Sequence, residues 1–132
     1  MTLVATPIIG ALAALLFLAL SVRVVTLRLR HQVGLGDGGH PDLERAMRAH
    51  GNFVEYVPLI LILLVMLELN GRVPLAVPGV LGGMLLVGRL LHAQGLSRRR
   101  GASFGRQAGI VLTWFSLVGS ALLNLLYASR II

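Results

Sequence analysis

The sequence predicts an all-α integral membrane protein built as a bundle of four transmembrane helices. Composition points there first: of 132 residues, 56% are hydrophobic and 13% charged, and the mean hydropathy is +0.85. Soluble domains carry about 25% charged residues. Second, four apolar runs each approach the length of about 20 helical residues needed to cross a hydrocarbon core of about 30 Å. Third, the cations gather at the edges of those runs, as topology signals do. The length suits one domain, residues 1–132.

The first span is expected over about 3–29, with Pro7 tolerable in its first turn and Arg23, Arg28 and Arg30 at its exit. It lacks a basic leading region and a small-residue cleavage motif, so it reads as a retained span. Residues 31–41, HQVGLGDGGHP, contain four glycines and a proline and form a loop. No strand precedes this loop and no Gly-Lys-Ser/Thr follows, so it is not a phosphate-binding loop. The second span is expected over about 42–69. Asp42 and Glu44 suit the positive end of its macrodipole, and Pro58 should kink it or free a carbonyl. Asn70-Gly71 ends it. The third span, about 74–96, carries Gly79, Gly82, Gly83 and Gly88, small residues that let membrane helices approach closely. The fourth runs over about 104–128.

Two loop regions, from Arg23 to Arg48 and from Arg89 to Arg106, hold five arginines each, whereas the opposite side has only Arg72 and Arg130. By the positive-inside rule both termini face away from the cytoplasm. Arg98, Arg99 and Arg100 read as a topology and lipid-headgroup patch.

Composition also excludes chemistries. Cysteine is absent, so disulfides, thiolate catalysis and cysteine-ligated metals are ruled out, and any reactive thiol arrives with a substrate. The net charge of +7 comes from arginine alone, yet no aromatic-basic platform accompanies it and nucleic acid is not an expected partner. Histidines at 31, 40, 50 and 92 lack zinc-type spacing, so no metal is expected. Trp114 reads as lipid-facing or core.

The chemistry concentrates in Glu44 to Pro58, ERAMRAHGNFVEYVP. Arg48, Asn52, Glu55 and Tyr56 stand at i, i+4, i+7 and i+8 and share one helix face. Arg28, Arg89, His92 and Arg106 fall near the same membrane face, so one cationic pocket with a single carboxylate can form. It suits an anionic ligand bearing an amine, such as a small peptide, with carboxylates on arginines and an ammonium on Glu55. Blander readings stand beside these. Glu55 can serve as a structural ion pair with Arg48 or Arg89, Arg89 and His92 as a snorkelling helix end, and His50 as a helix-surface residue. Intramembrane ionisable groups on so thin a bundle favour a homo-oligomer with sites between subunits.

RAMRAHGNFVEYVP resembles the second-helix signature of the MAPEG superfamily, the membrane-associated proteins in eicosanoid and glutathione metabolism. The Arg-Ala-His-x-Asn-x-x-Glu pattern and the four-span length both match. The resemblance implies a homotrimer that binds glutathione, as cosubstrate, between neighbouring subunits near the cytoplasmic face. Glutathione contacts would be Arg28, Arg48, Asn52, Glu55, Tyr56, Arg89 and His92, and Arg106 would hold the thiolate. The implied activity is a detoxifying glutathione transferase, extended to peroxidase chemistry, attacking a lipophilic electrophile or lipid hydroperoxide that arrives from the membrane lipid. One departure stands out: the third helix ends in HAQGLSRRR, without the tyrosine that catalytic relatives often carry there. It leaves open a non-catalytic lipid- or glutathione-binding protein of the same fold. A small four-span transporter with Glu55 as its ion site is the reading from another class.

Overall fold

In the computed structural model, which describes residues 2–98 and 103–129 (side chains of 96–98 excepted), four helices follow one another. They are α1 (Ala5–His31), α2 (Pro41–Asn70), α3 (Ala76–Arg98) and α4 (Phe104–Ala128). All four are long and apolar enough to cross a membrane. The described residues contain no strand, and the chain is a multi-pass membrane protein. The side chains of Arg98, Arg99, Arg100 and Arg130, read above as topology signals, lie outside the described residues.

Local chemistry sets the helix ends. Gln32, in the left-handed region at φ 54°, closes α1, and its backbone N–H returns to the carbonyls of Arg28 and Leu29. Pro41 opens α2, where its missing N–H costs nothing. Gly71 at φ 71° ends the same helix, a conformation that only glycine adopts without a Cβ penalty. Helix α2 stays continuous through Pro58. Ser103 caps α4 by accepting from the Arg106 N–H at 3.3 Å.

Packing follows the side-chain periods. On α2, Ala46, Ala49, Phe53, Val57, Ile60, Leu64 and Leu67 are buried, recurring every three or four residues. All of these except Ala46 and Leu67 form one core cluster with Ala13 and Leu20 of α1 and Leu85 of α3. Both α2 and α3 touch every other helix, whereas α1 and α4 flank them and do not meet. Large apolar side chains such as Leu15, Leu29, Phe104, Phe115 and Leu125 are exposed, as suits helices whose outer solvent is lipid.

The close approach of α3 and α4 is a glycine seam. A Cβ on Gly88 would lie 2.8 Å from the Gly109 carbonyl, and one on Gly109 would lie 2.5 Å from the Gly88 carbonyl. Farther along, a Cβ on Gly95 would meet the Arg106 backbone nitrogen at 2.6 Å. Of the four glycines expected to permit close packing, Gly88 does so against α4 and Gly82 against Ile9. Gly79 and Gly83 face open space. Beyond the seam, Thr113, Ser116 and Ser120 continue the buried face of α4. Hydroxyl-to-carbonyl and amide-to-carbonyl bonds join the helices there: Ser116 Oγ to Leu81 at 2.8 Å and Asn124 Nδ2 to Leu63 at 3.0 Å.

Glu68 has a role that its position near the end of an apolar run did not advertise. Its carboxylate accepts from the backbone N–H groups of Val4, Ala5 and Thr6 and from the Thr6 hydroxyl, so one helix caps the N-terminus of another. Hydrogen bonds to a charged acceptor are the stronger kind. In detergent, Glu68→Ala is expected to lower the midpoint of thermal unfolding, with a loss of about 1–2 kcal/mol after discounting for partial exposure. Glu68→Gln, which keeps one acceptor oxygen, should fall between. Equal melting of all three proteins would refute the cap.

Candidate functional site

Where the ends of α2, α3 and α4 converge, a cavity of about 530 Å³ opens, lined by Pro41, Glu44, Arg45, Arg48, Asn52, His92 and Arg106. Its size lies within the range of small-ligand sites, about 300–1,000 Å³. A smaller adjoining recess shares Asn52, His92 and Arg106 and adds Gln107 and Ile110. The glycine seam makes this meeting possible. Gly109 sits against the His92 backbone and Gly95 against that of Arg106, which brings the third-helix histidine and the fourth-helix arginine to one wall.

Beneath the cavity lies a buried arginine with neutral partners. Arg89 is 2% exposed. Its Nε and Nη2 donate to Thr113 Oγ1 at 3.0 and 2.6 Å, Nη2 also reaches the Gly109 carbonyl at 3.4 Å, and Nη1 donates to Asn52 Oδ1. The guanidinium carbon stands 5.6 Å from the centroid of the Tyr56 ring, a cation–π distance. Removing one partner from a buried charge is strongly destabilising, so these bonds matter to the fold as well as to the cavity. The arrangement also orients Asn52. With its oxygen committed to Arg89, the amide offers the cavity its two N–H donors.

The expected site residues separate into groups. Arg48, Asn52, His92 and Arg106 line the cavity together. Arg89 supports Asn52 from below, and Tyr56 lies on Arg89 and accepts from Trp114 Nε1 at 3.4 Å. Arg28 does not line the cavity; it turns to the Val33 carbonyl and Met47 Sδ at 3.4 and 3.5 Å. Glu55 is exposed on the outer face of α2 and does not line the cavity either, and the partners of Arg89 are not carboxylates. The carboxylate on the cavity wall is Glu44.

Three contributors escaped the sequence reading. Arg45 lines the cavity with its Nε buried and without a hydrogen-bond partner. Its spacing of three from Arg48 was the signal for a shared face. Glu44 lies four residues before Arg48, on that face too, so it serves the cavity as well as complementing the helix dipole. Thr113 shares a face of small and polar residues with Gly109, Ser116 and Ser120, but the spacing does not name its partner, which is 24 residues away. His50, by contrast, ties α1 to α2. Its Nε2 lies 3.1 Å from Ser21 Oγ and its ring 4.9 Å from Phe17.

Comparison with known proteins agrees with this architecture. The chain is 40% identical over 118 residues to the inner membrane protein YecN from two strains of Escherichia coli, covering 89% of this chain and 88% of YecN. The family model described as MAPEG matches residues 6–126, which takes in all the cavity residues. With four membrane-length helices, a second-helix Arg-Ala-His-x-Asn-x-x-Glu signature and this match over nearly its whole length, the chain belongs to the MAPEG family.

Proposed function

We propose that this protein is a membrane-bound glutathione transferase that holds the glutathione thiolate for attack on lipophilic electrophiles. The observation that carries the proposal is the cavity wall, where Arg45, Arg48 and Arg106 stand with Asn52, His92 and one carboxylate, Glu44. Glutathione carries two carboxylates, one ammonium and a thiol. Arginine forks match carboxylates, Glu44 suits the ammonium, and the Asn52 donors suit a peptide carbonyl.

Arg106 is the residue for the sulfur. It lies in the first turn of α4, where the positive end of the helix dipole adds to its own charge. Both favour thiolate over thiol, whose ordinary pKa is about 8.5. The thiol proton leaves to water and the sulfur then bonds to the electrophilic carbon of an aryl halide. The halide departs with the bonding pair. A hydroperoxide would accept the same sulfur at its terminal oxygen, with the alcohol as leaving group.

The exposure of Glu55 on a membrane-spanning face and the absence of Arg28 from its own chain's cavity support sites completed between subunits, and the family resemblance implies that this oligomer is a homotrimer. The arginine-rich ends then face the cytoplasm and both termini face away. Mass determination in detergent and cysteine-accessibility labelling at either end would test these points. The missing tyrosine late in α3 favours a second reading, a glutathione- or lipid-binding protein without turnover.

The deciding experiment mixes purified protein with glutathione and follows ultraviolet thiolate absorbance with and without an aryl halide. Thiolate formation together with conjugate supports the transferase. Binding without conjugate supports the second reading, and no binding overturns both glutathione readings.

A further inference from the structure

The loop between α1 and α2 brings together side chains that the cavity does not use. His31 is the last residue of α1, His40 immediately precedes α2, and Asp42 lies in its first turn. Between them the backbone turns back on itself through Gln32, Gly36, Gly38 and Gly39, all at positive φ. A Cβ on Gly38 would lie 2.6 Å from a Val33 methyl, so the tight return depends on glycine there. The result sets the two imidazole rings nearly parallel, 3.9 Å apart between centroids, with His31 Nε2 at 2.9 Å from Asp42 Oδ2. One ligating atom from each of the three side chains lies within 4.8 Å of the other two.

We propose that His31, His40 and Asp42 form a binding site for a divalent transition-metal ion of the zinc class. Two imidazoles and one carboxylate make a donor set for zinc, nickel or copper and a poor one for magnesium or calcium. Three protein ligands with water in the fourth position is a common tetrahedral arrangement. Metal–ligand bonds of about 2.0–2.2 Å put tetrahedral donors about 3.4 Å apart, so binding requires the stacked rings to turn until their in-plane nitrogens and the Asp42 oxygen face one point. All three residues are half-buried, which leaves the ion a path from water. Arg28 and Arg30 share the last turn of α1 and Asp42 is the one anionic ligand, so binding is of moderate strength.

The site has a mechanical consequence. Pro41 stands between His40 and Asp42 and lines the cavity, so an ion clips the loop shut and fixes one cavity wall. Metal binding itself does not rest on the glutathione reading.

The test uses tag-free, full-length protein in detergent, without thiol, titrated with zinc against a chromophoric chelator. Cobalt as a second probe reports coordination geometry through its visible bands. The expected result is one zinc per chain, undisturbed by excess magnesium, with a higher unfolding temperature in the loaded protein. His40→Gln and Asp42→Asn should each weaken binding about tenfold or more, as loss of one of three ligands does. His50→Gln, whose ring lies elsewhere, should not. Absence of zinc binding by the unaltered protein overturns the proposal whatever the variants do. So does binding that survives in both His40→Gln and Asp42→Asn, which would mark adventitious surface coordination.

Discussion

Arg106→Ala should abolish the ultraviolet thiolate signal at neutral pH and lower the conjugation rate by about 100-fold or more, the usual cost of removing one preorganised electrostatic donor. The side chain is exposed to the cavity and its removal opens no buried hole, so the unfolding temperature should hold. Glutathione affinity should fall less than rate, because Arg45 and Arg48 remain to take the carboxylates. Arg106→Lys keeps a point charge without the planar fork and should recover part of the rate. Stopped-flow absorbance on all three proteins measures both quantities. An unchanged thiolate signal in Arg106→Ala would remove this arginine from the chemistry and leave Arg45, Arg48 and the helix terminus as the sources of positive potential.

Gly109→Leu is expected to be the most damaging single change to the fold. Even the first carbon of a side chain there would lie 2.5 Å from the Gly88 carbonyl and 2.6 Å from the His92 backbone nitrogen. Those are backbone atoms, which cannot rotate away, so α3 and α4 must separate. Overpacking typically costs about 1–3 kcal/mol. Here the cost should reach the upper end or beyond, because the Gly109 carbonyl also accepts from Thr113 Oγ1 and Arg89 Nη2. Gly79→Leu is the control. It lies on the same span as the seam, in open space, and should melt like the unaltered protein. Similar melting of the two variants in detergent would show that the α3–α4 contact does not limit stability.

The fold was legible because the lipid imposes it: apolar runs of spanning length leave little alternative to helices, and arginines and glycines mark where they stop. The cavity was half legible. Arg48 and Asn52 follow from helix spacing, and their proximity to His92 and Arg106 from a shared membrane level. What spacing cannot supply is the rotation of one helix against another. That rotation turns Glu55 outward and Glu44 toward the cavity, and it buries Arg89 against Thr113. The small and polar face of α4 was present in the sequence at positions 109, 113, 116 and 120. Its spacing marks a packing face without naming α3 as the helix that meets it. The meeting of His31 with His40 was out of reach, since it is made by a glycine-bearing loop rather than by any helical period.

The Glu68 cap ties the beginning of the chain to a residue that the ribosome delivers much later. The donors at Val4, Ala5 and Thr6 meet an acceptor 62 to 64 residues downstream. Until α2 has been threaded through the bilayer, the far end of α1 must satisfy those groups with water or lipid headgroups. The first helix therefore acquires this N-terminal cap only when the second one arrives. A chain arrested short of residue 68 would hold α1 with the arginines of its last turn but without that cap at its first.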